Sequence, residues 1–536
     1  MIKLARNFLF YIVVGTMGAV SAHAQSLSDG HLGTVHFQIS CVTVQSKFDH
    51  AVALLHNFFF PETIKAFEAI IEEDPNCAMA YWGLAMSQRP NPLVPPFPLA
   101  NLKAGWEAVQ QGKAATTQTP REAEYLAAME VFYKNYDTID QKTRTGLYEK
   151  AMEQLHVRHP DDSEGAIFYA LSLNEAVDLN DTTFAKQLKA AGILNAELET
   201  QPDHPGISHY LIHSYDFAPL AAMCLPAAHR YDKIATASPH ALHMPSHIYS
   251  MLGMWDDSVR SNLAAIAAAN DYAAKNYPEA TDPSVAHSLD FITYAYMQLA
   301  KDKEAKQIVD SLAGLKPFKF SRLSADTALA AIPARYALDR GQWDDAAHLA
   351  IRDSQYPAAQ SISYFARALG NARSGRAEAA LAEIPQLNEI EAKLTAAKDD
   401  YWAGQTRIQK QAAAAWLLFA QGRRDEAITA MRNAADLDDG SQKNVAMENK
   451  LVPIRALLGE LYLTSGMNKE ALAEAEASLK ATPNRFRSIA TAAAAARALA
   501  STETAKRYSR ALIGLGADCD GERVELAAAK AFLSQQ

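Results

Sequence analysis

Cysteine is scarce in this 536-residue chain: there are four, and no two are spaced as CxxC. That spacing excludes the common paired-thiolate zinc sites and thioredoxin-type redox motifs. No HExxH, GxSxG, GxGxxG or P-loop sequence occurs, so zincin proteolysis, α/β-hydrolase chemistry and nucleotide binding have no support. Basic runs are missing too. The 51 Lys and Arg face 61 Asp and Glu, and a net charge of −10 argues against nucleic acid as a partner. Beyond the N-terminal segment no run reaches the roughly 18 apolar residues of a membrane span, so none is expected.

The N-terminal segment has the order of an export signal. Lys3 and Arg6 precede the apolar stretch FLFYIVVGTMGAV, and Ala22-His23-Ala24 fits a cleavage site. Residues 1–24 are therefore expected to be a signal peptide, and the mature protein to be periplasmic or secreted. In an oxidising compartment Cys41 and Cys77, both in the N-terminal module, form the preferred disulfide. A buried free thiol at Cys224 and a second bridge remain equal alternatives.

Residues 25–45 look strand-like or irregular, and from Phe48 the pattern is helical. FDHAVALLHNFFF, PETIKAFEAIIEEDP and CAMAYWGLAMSQ are successive amphipathic segments, with Asp74-Pro75 ending the second. The proline-rich stretch 89–100 is incompatible with a helix and is expected to be an inserted loop. Farther on, turn glycines recur at Gly341, Gly375, Gly422 and Gly466, separated by 34, 47 and 44 residues. Each is followed by a similar phrase: QWDDAA, RAEAA, RRDEA and MNKEA. The expectation is an all-α fold, a right-handed α-solenoid of helix pairs with irregular inserted loops. It divides into an N-terminal segment with the first helix pairs (25–115), a histidine-rich region (116–310) and a C-terminal array (311–536).

Histidine is the residue in excess. Seven of sixteen, His204, His209, His213, His229, His240, His243 and His247, fall within 44 residues. His209/His213 and His243/His247 are i,i+4 pairs, which a helix places on one face about 5–6 Å apart at Cβ. The second pair follows the first by 34 residues, a repeat period. Isolated His50, His56, His156, His159 and His348, and His229 on a second-position helix, read as packing or surface residues. Glu164 and Glu175 are weaker candidates for a carboxylate ligand or general base.

DPNCAMAYWGLAMS, HPGISHYLIHSYD, HALHMPSHIY and LGMWDDSVRSN resemble the tetratricopeptide repeat superfamily and, within it, a group of large exported bacterial repeat proteins. The resemblance spans nearly the whole mature chain. It implies that the first helix of each pair lines a concave groove. With Gly253 as the turn residue, His240, His243 and His247 take groove-facing positions. The same register aims His209, His213 and Asp216, and then His287, Asp290 and Tyr294, at that groove. His209, His213, His243, His247 and His287 are thus the candidate ligands of a transition metal ion (Zn, Cu or Fe), at one site or two close ones. Asp216, Asp290, His204 and His240 are candidates to complete or orient the shell. Pro245 exposes this geometry to a kink between His243 and His247. Two alternatives stay open: a groove that binds a peptide or protein partner without metal, and a metal-free enzyme with a histidine base oriented by Asp216 or Asp290.

Overall fold

The structure is a computed structural model and describes residues 31–178, 181–441 and 450–535. The segment read as a signal peptide, 1–24, lies outside the described residues. Among them the regular elements are all helices, with no strand beyond isolated bridges. Residues 31–39 are extended and irregular, and they bury Val35, Phe37 and Ile39 in the first core. The proline-rich stretch is loop up to Pro98, where the helix Leu99–Ala114 begins.

Short turns join successive helices, so each helix packs on the next and alternate helices also touch. Glycines permit the tight turns: Gly253, Gly341, Gly375, Gly422 and Gly466 all have positive φ, between 66° and 78°. At Gly253 the requirement is double, because a Cβ there would lie 2.4 Å from the Pro483 carbonyl oxygen. Alanine supplies the close approach between helices, as in the run Ala330, Ala331, Ala334 and Ala337 of the second core.

Two closures organise the molecule. In the first core, built around Phe37, Trp82, Tyr125 and Phe168, the helix Gln45–His56 meets the much later helix Pro205–Tyr215. In the second, helices Pro283–Gln298, Leu323–Asp339, Pro357–Arg373, Asp400–Ala420, Ile454–Thr464 and Phe486–Ala498 touch in succession, and the last touches the first. Buried polar contacts fasten that closure. Arg485 donates to Asp339 at 2.7 Å, Arg523 Nε to Asp302 at 2.8 Å, and the Trp255 indole N–H to the Asn484 carbonyl at 2.9 Å. Cys41 and Cys77 form a disulfide, while Cys224 is a buried free thiol and Cys519 is also free.

The histidine-bearing helices Pro205–Tyr215, Pro239–His243, Pro245–Met251 and Pro283–Gln298 lie where the two halves meet. Each starts on proline, whose fixed φ suits the first helical position and whose missing N–H is lost at no cost there. Ser238 and Asp282 cap two of these starts, accepting from the Ala241 and Ser284 amides.

Candidate metal centre

The histidines gather into two trios. The Nε2 atom of His209 lies 3.0 Å from Nε2 of His213 and 3.2 Å from Nε2 of His240. In the second trio Nε2 of His243 and Nε2 of His247 are 3.0 Å apart, and the His287 ring lies 4.6 Å from that of His243. Within each trio one nitrogen from every ring lies within 4.8 Å of the others, so both trios could hold a metal ion. Two nitrogens bound tetrahedrally at about 2.05 Å to one ion are about 3.3 Å apart, close to the spacings seen.

Pro245 does not spoil the second pair. The helix restarts at Pro245, but the junction residue Met244 keeps helical angles (φ −54°, ψ −39°), so the i,i+4 stacking of His243 and His247 survives. Met244 itself is buried in the first core. His240 and His243 share the five-residue helix Pro239–His243, with ring centroids 6.4 Å apart. One helical turn thus serves both trios.

Hydrogen bonds at the other ring nitrogens set the tautomers. His209 Nδ1 donates to the backbone carbonyl of His56 at 2.6 Å. That carbonyl belongs to the last residue of the helix Gln45–His56, where carbonyls lack helical partners. His247 Nδ1 donates to Asp216 at 3.0 Å. His243 Nδ1 donates to Asn262 Oδ1 at 2.6 Å, and the Asn262 amide donates in turn to Ser258 O, which fixes Oδ1 as the acceptor. With Nδ1 so engaged, Nε2 is the nitrogen by which His209, His243 and His247 face their trios. His243 and His247 thus bring their Nε2 atoms face to face across 3.0 Å. A proton or a cation between two such nitrogens makes the contact favourable. A metal-ligating histidine normally ties off its second nitrogen in this way.

Burial keeps two members of the first trio, His209 and His240, neutral. It pushes His209 down to about 3, and it lowers His240 as well, helped by the neighbouring His209, His243, His213 and Arg322. Aromatic rings back both trios. Phe58 packs on His209, His213 and His240 at 4.4, 5.9 and 5.6 Å. Phe291 packs on His243, His247 and His287 at 4.9, 5.0 and 5.3 Å. Phe58 is held at φ +51°, a conformation that β-carbon residues adopt at an energetic cost. Two members of each trio are buried and the third, His240 or His287, is half-buried. The histidines expected to line an open groove are thus packed inside, with one edge per trio reaching out.

Behind the first trio is a third group, which joins two of the weaker candidates, Glu164 and His204, to His56. Glu164 accepts from His56 Nε2 at 3.0 Å and from His204 Nε2 at 2.9 Å, and Tyr210 O–H bonds His56 Nδ1 at 2.9 Å. Burial alone would raise Glu164, but His204 and His56 hold it well below the usual carboxylate range. His56 is itself lowered by burial, against the pull of Glu164. Gly206 makes the approach possible, since a Cβ there would come within 2.4 Å of the His56 ring. His56, read in sequence as a packing residue, thus serves twice: its carbonyl orients His209 and its ring bonds Glu164.

The other candidates resolve as follows. His240, expected to be secondary, completes the first trio, whereas His204 faces Glu164. Asp216 orients His247. Asp290 does not face the trios: Arg335 holds it through contacts of 2.7 and 3.3 Å. Neither sequence spacing nor repeat register signals a buried arginine one helix away. Glu175 likewise pairs with Arg89 at 2.8 Å, and His229 is exposed and bonded to Tyr249. Tyr294 accepts from Arg485.

No protein-family model matches this chain. No protein of curated function is detectably similar to it either.

Proposed function

We propose that the protein is an exported α-solenoid of tetratricopeptide type whose two histidine trios hold transition metal ions, as a catalytic or metal-handling centre. The observation that carries this reading is the convergence of three imidazoles in each trio, with a nitrogen of every ring within 4.8 Å of the others and the Nδ1 atoms of His209, His243 and His247 hydrogen-bonded elsewhere. An ion at the centre of either trio would meet three such nitrogens. Imidazole donors suit zinc, copper and iron. Three protein donors with a half-buried edge leave an open coordination position, the pattern of a working site rather than a closed structural one. Alternate helices in contact, turn glycines at repeat spacing and the motif phrases support the solenoid. The order of residues 3–24 supports export.

A peptide-binding groove without metal draws nothing from these histidines, because they are buried against Phe58 and Phe291. The test is elemental analysis of untagged protein, followed by titration of stripped protein with Zn(II), Cu(I), Cu(II) and Fe(II). The expected result is near-stoichiometric metal in the wild type and loss of one site in the His243→Ala/His247→Ala variant. Wild-type protein that retains no metal and takes up none in titration overturns the reading.

A further inference from the structure

Buried arginines are tied down in this fold. Arg89 donates to Glu175 at 2.8 Å and Arg144 to the Phe132 carbonyl at 2.8 Å. Arg335 donates to Asp290 and Arg485 to Asp339, each at 2.7 Å, and Arg523 to Asp302 at 2.8 Å. A guanidinium withdrawn from water needs such partners. Arg322 differs. It is half-buried, yet its side chain has no hydrogen-bond or ion-pair partner among the described residues. Asp282 and Tyr356 lie near enough to act on its charge. Asp282, however, is committed elsewhere: it accepts from the Ser284 amide at 2.8 Å, the Ser284 hydroxyl at 2.6 Å and the Tyr277 hydroxyl at 2.5 Å.

The place of Arg322 gives that free guanidinium a use. Asp282, Arg322 and Tyr356 are the residues immediately before the helices Pro283–Gln298, Leu323–Asp339 and Pro357–Arg373. The Thr281 amide donates to the Pro317 carbonyl at 2.9 Å and the Lys319 amide to the Thr281 carbonyl at 3.0 Å, which holds the first two helix starts side by side. The Ser321 hydroxyl donates to the Tyr356 hydroxyl at 3.4 Å and joins the third. Together the three starts make one rim. The Arg322 carbonyl accepts from the Ala325 and Asp326 amides, so the residue's backbone is fixed there. From this rim the Arg322 charge reaches His240, the half-buried member of the first trio. The Tyr356 hydroxyl, accepting from Ser321, still has its own hydrogen to donate. Two helices also direct the positive ends of their dipoles to the rim.

We infer that the open edge of the first trio is an oxyanion site anchored on Arg322, and that the substrate of the metal centre carries a carboxylate or phosphate group. This inference rests on the metal-binding reading above. The planar guanidinium fork matches two oxygens of either group, which a lysine ammonium does not. An oxyanion held there gives Arg322 the partner that every buried arginine of the fold already has. It accepts the Tyr356 hydrogen and meets the positive charge of an ion in the first trio. The role of Arg322 is therefore to select and orient the ligand at the edge where His240 is half-buried.

The experiment uses the untagged protein, stripped and reloaded with the ion that it binds among Zn(II), Cu(I), Cu(II) and Fe(II). It is titrated calorimetrically with inorganic phosphate in one arm and acetate in the other. The expected result is one anion bound per chain, and the tighter arm tells phosphate from carboxylate. Arg322→Ala removes a side chain without a native hydrogen bond, so its thermal melt should be unchanged, while it binds that anion at least about tenfold more weakly. Arg322→Lys keeps the charge without the fork and should fall between the two. No binding of either anion to the loaded wild type, or equal binding by wild type and folded Arg322→Ala, overturns the inference and leaves the metal-binding reading standing. So does uptake of several anions per chain that the substitution does not change. Protein that loads none of the four ions overturns the metal-binding reading and removes the substrate assignment with it.

Discussion

Asp216 offers the sharpest perturbation, because its carboxylate bonds directly to a ring of the second trio. Its carboxylate accepts the His247 Nδ1 hydrogen at 3.0 Å, with both side chains buried. That bond keeps the lone pair of His247 on Nε2 and fixes the ring's direction. Loss of such an orienting partner typically weakens metal binding by about 10–100-fold, which corresponds to about 1.4–2.7 kcal/mol. Asp216→Ala should weaken the His243/His247/His287 site by that factor. The His209/His213/His240 site, oriented by the His56 carbonyl, should keep its affinity. Asp216→Asn preserves an acceptor oxygen and should recover most of the loss. The assay is a competition titration with a chelator of known affinity, fitted to two sites, with a thermal melt to establish that each variant is folded. Equal weakening of both sites, or no weakening of either in a folded variant, would refute the reasoning.

Three further outcomes follow from the same geometry. The metal-free protein should lose stability as pH falls below the ordinary histidine value of about 6.5, by about 1.4 kcal/mol per pH unit for His209 alone. The sign follows from burial: His209 is held down at about 3 in the fold, so protons bind the unfolded chain first; a urea midpoint unchanged between pH 7 and pH 5 would contradict this. Phe58→Ala removes the ring packed on the first trio and should destabilise the fold by about 3–5 kcal/mol, read by chemical denaturation, while leaving the second trio's affinity intact. Arg485→Ala leaves Asp339 buried without its 2.7 Å partner and should cost about 3–5 kcal/mol, with early loss of the contact between the first and last helices of the second core, read by hydrogen exchange at Phe486–Ala498; a shift below about 1 kcal/mol would mean that the pair does not fasten the closure.

How much of this was legible in the sequence depends on how far apart the partners lie. Helices, turn glycines and the proline starts are local features, and Gly253, Gly341, Gly375, Gly422 and Gly466 adopt the positive φ that their spacing implied. The i,i+4 pairs and the 34-residue offset brought His209, His213, His243, His247 and His287 forward as candidates. A linear register could not anticipate the chain's return. The bond from His209 to the His56 carbonyl spans 153 residues and that from His56 to Glu164 spans 108. A histidine embedded in the apolar run AVALLHNFFF was the one available signal for His56 and Phe58. The same limit explains Asp290: its position on the histidine-bearing helix face was readable, but the Arg335 guanidinium 45 residues later was not. The division of five expected ligands into two trios arises because His240 and His243 lie one turn apart and aim at different partners, a matter of side-chain direction rather than spacing.

The central claim is that two separate groups of imidazoles bind metal through their ring nitrogens. Anomalous diffraction from crystals of the metal-loaded protein, collected at the absorption edge of the bound element, tests it most directly. The account predicts two peaks per chain, one about 2 Å from Nε2 of His209, His213 and His240 and the other about 2 Å from Nε2 of His243 and His247 and from a ring nitrogen of His287. Peaks confined to surface carboxylates, or no peak at either trio in protein that carries the metal, would contradict it.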